Sequence, residues 1–437
     1  METMSWLNLG SLCGCVVLAF AAWTAGGFKR PVPWRTVRGS AVLLAVLGAS
    51  VFWLPPTRAL LLGVNDLVIA ILDAGTAGTR FVFGPLSLSP GEVSPSGDRS
   101  IGFVFAAQVL PAVIFFSALM AGLYHLRVMQ PVVRLFARLF HRTMGLSGAE
   151  ALAGSANIFV GVESALVVRP YLEGMTRSEL MNVITCGMAT TASTTLAIYI
   201  MFLRNSFPLI AGHLISASVI AIPAAVLTSK LVFPEREVPA TLGKVPPIDE
   251  SGREANLMSA LAAGAWDGLK LAAGIATLLI AILGFVAILD LALVKLTSPW
   301  APALGGPVSI GRTLGWLFAP PAWLLGLERA DLGSAARMLG ERAVLTEVVA
   351  YQRLGALAAS RAISPRSLVV LSYALCGFAH VASIGIFVGG TAALAPTRRG
   401  DLAAVGFKAL VAATLATLMT GAIAGVFYHG QPSILGL

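Results

Sequence analysis

The sequence has few charged residues for its length. Only 12% of its 437 residues are Asp, Glu, Lys or Arg, whereas about 25% is usual in a soluble domain. Hydrophobic residues make up 57% of the chain, and the mean hydropathy is +0.84. This shortage of charge excludes an ordinary soluble globular domain and indicates lipid as the main solvent.

Motifs for enzymatic chemistry are also lacking. The chain has four cysteines, all in apolar runs and none with C-x₂-C spacing, which argues against a disulfide framework or a zinc site. Neither a P-loop nor an H-E-x-x-H zinc motif is present. We therefore expect a protein that is not an enzyme and that uses no organic cofactor.

Long apolar runs are abundant, and they determine the predicted fold class. A helix needs roughly 20 apolar residues to cross a bilayer. The runs with this character cover residues 6–26, 39–53, 103–124, 178–201, 210–233, 271–289, 367–391 and 402–428. The pattern predicts an all-α polytopic membrane protein with about eight transmembrane helices.

Basic residues cluster after alternate runs. They follow the first, third, fifth and seventh runs, as the positive-inside rule requires of cytoplasmic segments. The net charge of +9 therefore reflects orientation in the lipid bilayer, and we expect no nucleic-acid partner. We predict a multi-pass protein of the cell inner (plasma) membrane, with both termini and residues 66–99 outside the cytoplasm.

Two moderately polar, interrupted stretches stand at matching places in the two halves of the chain. The pattern in residues 147–172 and 330–362 predicts a broken helical hairpin followed by a capped span in each, and the following spans are interrupted at 187–195 and 377–390. The capping-box spacing of Ser147 with Glu150 and of Thr176 with Glu179 predicts helix starts at both places, and Ser364-Pro365 places an N-cap and a proline at the start of the span in the second half. By the charge count the first hairpin enters from the cytoplasm and the second from outside. Interrupted helices in such an inverted repeat indicate a transporter's binding site near the middle of the membrane.

The predicted spans and hairpins divide the chain into five regions. In order, these are a mainly scaffold N-terminal region, the first half of a transport domain, a cytoplasmic loop, a scaffold span with an external loop, and the second half of the transport domain. The predicted boundaries are 1–126, 127–233, 234–266, 267–329 and 330–437, with the second broken span at 366–391.

Two glutamates are the sharpest candidates for a functional site. Glu163 and Glu347 each lie in a predicted hairpin at membrane depth, where a charge costs roughly 2.5–3.5 kcal/mol on insertion scales. Such residues usually bind a ligand, pair or carry protons. The structural alternative is that Glu163 caps the helix beginning at Ser164, or that either carboxylate reaches the interface.

Neutral oxygens gather at the first two breaks. Asn157 and the hydroxyls of Thr190 and Thr191 offer hard ligands of the kind that suits Na⁺. The alternative is that the Thr hydroxyls only bond to the backbone one turn earlier. His380, with Ser383 one turn on, could donate to a polar ligand or simply form a hydrogen bond across a helix interface.

Four blocks of sequence resemble the concentrative nucleoside transporter family. They are QVLPAVIFFSALMAGLYHLRVMQ at 108–130, SGAEALAGSANIFVGVESALVVRPYLEGMTRSEL at 147–180, LGERAVLTEVVAY at 339–351 and SYALCGFAHVASIGIFVGGTAALAPTRRGDL at 372–402. The resemblance covers roughly residue 39 to the C-terminus. It implies eight spans with two opposed re-entrant hairpins, a homotrimer, and nucleoside uptake driven by Na⁺ or H⁺.

The resemblance also assigns roles to individual residues. Glu347 matches the carboxylate that holds the ribose hydroxyls, and Ser383 matches a serine of the same ribose pocket. The family's sodium positions fall on two side chains and two backbone carbonyls, those of Asn157, Thr190, Val160 and Thr191.

The substrate site departs from the family pattern at two places. The first hairpin tip, normally Gly-Gln-Thr-Glu-Ala-Pro, reads Gly161-Val162-Glu163-Ser164-Ala165 and is one residue shorter. The Gln and Thr that contact the nucleobase in the family are absent, and Val162 is part of the tip instead. Glu163 matches the glutamate of the motif. His380 replaces an asparagine that contacts ribose.

The leading hypothesis is a secondary active symporter that imports nucleosides or nucleoside-like solutes with Na⁺, or with H⁺. Glu347, Ser383 and His380 would hold the hydroxylated moiety, and Glu163 would face the base. One rival is a diverged porter for another small polar metabolite, since the base-reading residues are gone. The other is a membrane receptor or assembly subunit that retains only the fold.

Overall fold

A computed structural model of the chain describes residues 5–94, 97–161, 164–247, 254–302 and 306–430. Throughout these ranges the regular structure is helical, apart from one isolated bridge between Val93 and Arg99. The prediction of an all-α protein is confirmed.

The N-terminal part consists of apolar helices followed by an amphipathic one. Its helices are α1 Trp6–Ala25, α2 Trp34–Trp53, α3 Pro55–Phe83, α4 Phe105–Gln108, α5 Leu110–His125 and α6 Met129–Met144. In α6 the buried residues recur every three or four positions while arginines face outward, as an amphipathic helix requires. Gly145 ends α6 in the left-handed conformation that favours glycine.

The central part contains the first hairpin and the broken span that follows it. Its helices are α7 Gly148–Ala156, α8 Ser164–Val167, α9 Arg169–Leu172, α10 Arg177–Ala189, α11 Ser193–Leu203 and α12 Ile210–Val232. Complete capping boxes open α7, at Ser147 with Glu150, and α10, at Thr176 with Glu179. Both predicted helix starts are therefore confirmed.

The C-terminal part repeats this order after a long peripheral helix. Its helices are α13 Leu257–Thr297, α14 Ile310–Leu324, α15 Leu332–Val344, α16 Glu347–Ala359, α17 Pro365–Ala374, α18 Val381–Leu394 and α19 Arg399–Phe427. Ser364 caps α17 through its side chain, and Pro365 occupies the first turn, as predicted. The α12 and α19 helices are mostly buried and form the centre, whereas the most apolar stretch of α13 is unburied.

Eight helices among the described residues are long and apolar enough to cross a membrane. The predicted seventh span is broken into α17 and α18, as expected, and the additional helix that is long and apolar enough is α3. The sequence predicted an external stretch at 66–99, yet α3 continues through it to Phe83. Asp66, Asp73 and Arg80 recur every two turns, a helical spacing that indicates one polar face.

Contacts place α3 against the ends of two other helices. Asn65 accepts a hydrogen bond from the backbone of Gly212 in the first turn of α12, at 3.4 Å. Asp73 pairs with Arg204 at the end of α11, at 2.7 Å. By the charge distribution these ends are external. Helix α3 therefore contacts the ends of α11 and α12 that the charge distribution predicts to be external.

Two further boundaries differ from the prediction. The cytoplasmic loop predicted at 234–266 ends early, because Asn256 caps α13 by accepting from the amide of Ser259 at 2.9 Å. The external loop predicted before residue 330 contains α14.

The two hairpins are anchored at opposite ends of the molecule. Ser147, at the base of the first, donates to Glu179, and Glu150 beside it pairs with Lys230 near the cytoplasmic end of α12. The second is anchored at Asp331, whose carboxylate accepts from the Ser364 hydroxyl at 2.7 Å. The predicted pair of oppositely oriented hairpins is confirmed.

The outer anchor lies beside both chain termini. Arg366, in the first turn of α17, donates to Asn8 at 3.1 Å, and Asn8 in turn donates to the carbonyl of Tyr428 at 2.8 Å. The described N- and C-terminal segments thus lie on the same side, in agreement with the predicted topology.

Candidate functional site

We call residues 147–203 the first half and residues 331–394 the second half; each comprises a hairpin and the broken span after it. In the first half, α7 ends at Asn157, which is fully buried. Its amide nitrogen donates to the carbonyl of Ala153 at 3.1 Å, while its side-chain oxygen has no hydrogen-bond partner among the described residues. A buried oxygen without a donor is suited to a cation.

The span after the first hairpin unwinds where oxygen atoms are concentrated. Helix α10 ends at Ala189, Thr190 is extended, and α11 begins at Ser193. The Thr190 hydroxyl donates to the carbonyl of Cys186 at 2.8 Å. This is the local backbone bond proposed as the structural alternative, but it leaves the lone pairs of the hydroxyl oxygen able to accept or to bind a cation.

Ser193 joins the hairpin break to the span break. Its hydroxyl and its backbone amide both donate to the carbonyl of Phe159, at 2.7 and 3.1 Å. Phe159 lies between Asn157 and Val160, two predicted sodium positions. The four predicted sodium ligands therefore lie on two breaks that are directly bonded to each other.

The second half brings its three predicted residues into one buried cluster. The Nε2 atom of His380 lies 3.2 Å from a carboxylate oxygen of Glu347 and 3.0 Å from the hydroxyl of Ser383. The first distance is that of an ion pair, although the geometry is not that of a hydrogen bond. All three residues are nearly inaccessible to solvent.

Helix termini position this cluster. Glu347 is the first residue of α16, where the helix dipole favours a carboxylate. His380 caps α18 in an extended conformation, so its ring stands at the break instead of along a helix face. Because both α16 and α18 begin at the cluster, backbone amides and side chains converge there.

The breaks of the two halves are in contact. The amide of Phe378 donates to the carbonyl of Thr190 at 3.4 Å, and the thiol of Cys376 lies 3.6 Å from the Thr191 hydroxyl. A continuous set of contacts thus runs from Asn157 to Glu347 through both broken spans. Of the predicted site residues, Glu347, His380 and Ser383 are in direct contact, and Asn157 is linked to them only through the two breaks. Val162 and Glu163 lie outside the described residues.

Three buried residues near the cluster were not identified from the sequence. Tyr199 and Tyr351 stack with centroids 4.1 Å apart, and the Tyr199 hydroxyl lies near the Glu347 carboxylate. Arg342, in the second hairpin, is also fully buried. Arg342 is an ionisable residue at membrane depth, which is the property by which Glu347 was predicted to be functional.

A cavity of about 680 Å³ leads to the first hairpin break. Its size is typical of small-molecule sites. Phe159, Val160, Gly161 and Ser193 line its inner part, and residues of α5, α8, α9 and α13 line much of the remainder. Arg127 and Glu254, on the basic side of the molecule, mark its outer part. The lining does not include Glu347, His380 or Ser383, which lie across the contact between the two halves.

Comparison with known proteins gives matches along nearly the whole chain. Family models described as the N-terminus and the C-terminus of the Na⁺-dependent nucleoside transporter match residues 13–86 and 213–425. A model described as nucleoside recognition matches residues 106–206.

Similar full-length proteins support these matches. An uncharacterized transporter of Haemophilus influenzae is 35% identical over 96% of this chain and 97% of its own length. The nucleoside permease NupC of Helicobacter pylori is 32% identical over 97% and 99%. The structure of CNTnw in an inward-facing, substrate-bound state covers 97% of this chain and 100% of its own, at 34% identity and a TM-score of 0.86.

Proposed function

Because the chain belongs to the Na⁺-dependent nucleoside transporter family, we propose that it is a secondary active symporter that imports nucleosides with Na⁺. It is a multi-pass protein of the inner membrane and a transporter, not an enzyme.

The observation that carries the proposal is the contact between the two halves. An oxygen-rich break and a buried carboxylate cluster are joined by the Phe378–Thr190 and Cys376–Thr191 contacts. Two binding sites whose broken helices are in contact have their occupancies linked, because a ligand that orders one break also orders the other. Such linkage is what a symporter requires.

The first half supplies a site suited to Na⁺. We assign ion binding to Asn157 and Thr190 through their side chains, and to Val160 and Thr191 through their carbonyls. The unpartnered oxygen of Asn157 supports this assignment. Neutral oxygens suit Na⁺ and hold a proton poorly, so this half favours Na⁺ over H⁺.

The second half supplies a site suited to a ribose. A carboxylate accepts hydrogen bonds from two neighbouring hydroxyls, and we assign this role to Glu347. Ser383 and His380 can each donate to or accept from the sugar. We retain Glu163 and Val162 as the residues that face the nucleobase, on the strength of the family motif alone.

Energetics are adequate for accumulation. One positive charge crossing 100 mV provides about 2.3 kcal/mol, enough for a roughly 50-fold gradient before any ion gradient is added.

We propose that the two halves move together as a transport domain against a scaffold that includes α13, and that the protein assembles as a homotrimer. The exposed apolar face of α13, with Phe285 and Leu291, is available for lipid or a neighbouring subunit.

Uptake by purified protein in proteoliposomes tests the proposal. Radiolabelled uridine and adenosine should accumulate above the external concentration when Na⁺ is directed inward, and should only equilibrate when K⁺ replaces it. Accumulation driven by a proton gradient without Na⁺ would show that the coupling ion is H⁺ and not Na⁺. Absence of accumulation of any nucleoside would reject the symporter, and nucleoside binding without flux would favour a receptor.

A further inference from the structure

The most deeply buried charge in the second half belongs to Arg342, which lies near the end of α15. Its side chain is 0% exposed. One terminal nitrogen donates to the carbonyl of Ala374 at 3.1 Å and to the hydroxyl of Thr417 at 2.6 Å. Ala374 is the last residue of α17. The guanidinium therefore lies at the carbonyl end of the broken span.

A broken helix presents unpaired carbonyls at this end, and their partial negative charge attracts a cation. In the first half the equivalent end is that of α10, next to Thr190. There the nearby hairpin contributes Asn157, a neutral side chain whose oxygen is unpartnered among the described residues. In the second half the hairpin contributes a covalently attached cation.

The equivalence of the two ends rests on the way each half is built. Thr176 and Ser364 cap the two broken spans through their side chains. Each cap region is also bonded to the base of its own hairpin, through Ser147 in the first half and Asp331 in the second. The two hairpin ends thus face corresponding carbonyl ends from opposite directions.

We assign Glu347, at the start of α16, as the counter-charge of Arg342. The neighbouring Glu341 is already engaged, since one of its oxygens lies 3.0 Å from both Arg337 and Arg353. Glu347 acts on Arg342 through space and not as a contact ion pair among the described residues. Within the described part of the chain, the other titratable groups that interact with it are the Tyr351 hydroxyl and the Cys376 thiol, and groups of both types are ordinarily neutral at pH 7.

We propose that Arg342 is a built-in cation that takes, in the second half, the position that the coupling ion takes in the first. It neutralises the carbonyl end of α17 and balances Glu347, so the second half needs no mobile ion. A single Na⁺ then accompanies each nucleoside, and the empty second half carries no net charge from this pair. The inference rests on the proposed function, because it concerns the ions that are carried with the substrate.

The stoichiometry of the unaltered protein gives the first test. Proteoliposomes loaded with the wild-type protein would be supplied with ²²Na⁺ and tritiated uridine, and initial uptake of both would be measured at a clamped potential. We expect equal molar amounts. Two Na⁺ per uridine would overturn the inference while leaving the symporter intact, whereas absence of Na⁺-driven uridine uptake would reject the proposed function itself.

Substitution of Arg342 gives the second test. Arg342→Gln removes the built-in positive charge, and we expect a second Na⁺ to bind in its place. The Na⁺ dependence of uptake should therefore become sigmoidal, with a Hill coefficient approaching about 2. Arg342→Lys keeps the charge and should retain a hyperbolic dependence. Arg337→Gln, one turn earlier in the same helix, serves as the matched control and should also remain hyperbolic.

A structural role alone predicts a different pattern. If Arg342→Gln elutes as a folded protein and keeps the wild-type Na⁺ dependence, the inference is wrong. The inference is also wrong if Arg342→Lys shows the same altered Na⁺ dependence as Arg342→Gln, because keeping the positive charge would then have no effect. If Arg342→Gln does not fold, the ²²Na⁺ ratio of Arg342→Lys decides, and a ratio of two would reject the inference.

Discussion

The first half surrounds its helix break with neutral oxygens, whereas the second half surrounds its break with buried charges. Asn157 and Thr190 carry no charge and lie beside the carbonyl end of α10. Arg342 and Glu347 are ionisable and buried, with Arg342 beside the end of α17 and Glu347 beside His380 at the start of α18. The two halves share one architecture, so the difference arises from side chains and not from the backbone.

This difference explains how one inverted repeat can hold two unlike ligands. Neutral oxygens next to a helix end leave a local excess of negative potential that only a mobile cation can satisfy. An internal pair of opposite charges satisfies the same potential permanently and leaves the carboxylate to accept hydroxyl groups. We infer that the first half holds the ion and the second holds the ribose, while Glu163 and Val162 of the first half are left to face the nucleobase.

Removing the carboxylate of the second half should have the largest effect. In Glu347→Gln a ribose would lose charge-assisted hydrogen bonds worth about 1.5–3 kcal/mol each. For two such bonds we expect uptake to fall by at least about 100-fold. Initial rates of uridine uptake at saturating Na⁺ measure this, with gel filtration to establish that the variant remains folded.

Glu341→Gln is the matched control for this change. Glu341 lies in the same hairpin and is also buried, but it contacts Arg337 and Arg353 and not the cluster. We expect a lower unfolding temperature with an unchanged KM for uridine. Wild-type uptake in Glu347→Gln would remove that residue from the substrate site, and a raised KM in Glu341→Gln would show that the charges of the hairpin act as one unit.

Changing the first half should affect the ion and spare the substrate. Asn157→Ala deletes the unpartnered oxygen, and one lost ligand to a cation is worth roughly tenfold or more in affinity. The Na⁺ concentration that half-saturates uptake should rise by about that factor, while the KM for uridine at saturating Na⁺ changes little. Uptake titrated against NaCl at constant ionic strength measures both quantities.

Ser155→Ala distinguishes ion binding from helix packing. The Ser155 hydroxyl is equally buried but only donates to the carbonyl of Ala151 within α7, at 2.6 Å. Its removal should leave the Na⁺ dependence unaltered. If the two variants shift the half-saturating Na⁺ concentration equally, Asn157 acts through the hairpin and not as a ligand.

The shared architecture was more predictable from the sequence than the difference between the halves. The helix starts at Ser147, Thr176 and Ser364 follow from capping patterns that span three or four residues, and the structure has all three. Local rules suffice there because the hydrogen bonds involved are local. The meeting of Glu347 and His380 was also predicted, since polar groups at membrane depth must find one another.

Long-range features were not predictable in this way. The partners of Arg342 are Ala374 and Thr417, far away along the chain, and no local pattern links them. The distribution of basic residues predicted an external stretch at 66–99 without identifying a helix there, although the spacing of Asp66, Asp73 and Arg80 is helical. For Arg342 and for α3 alike, the sequence does not show which other elements they pack against, because those contacts depend on the tertiary structure.

The anchors at the bases of the two hairpins should show the smallest effect, and a nearly equal one. Ser147 and Ser364 each cap a helix and also donate to a carboxylate of the neighbouring element. Loss of such a cap costs about 0.5–2 kcal/mol. We expect Ser147→Ala and Ser364→Ala each to lower the unfolding temperature in detergent by a few degrees, with uptake at low temperature retained.

Burial should make the cytoplasmic anchor the more sensitive of the two. Ser147 is 1% exposed and lies beside the buried pair of Glu150 and Lys230, whereas Ser364 is only partly buried. A carboxylate left without its donor costs more where water cannot replace the hydroxyl. The Ser147→Ala shift should therefore exceed that of Ser364→Ala, and Ser360→Ala, whose hydroxyl contacts only its own helix, should show no shift. A larger shift in Ser364→Ala would mean that the external anchor, and not the cytoplasmic one, limits the stability of the repeat.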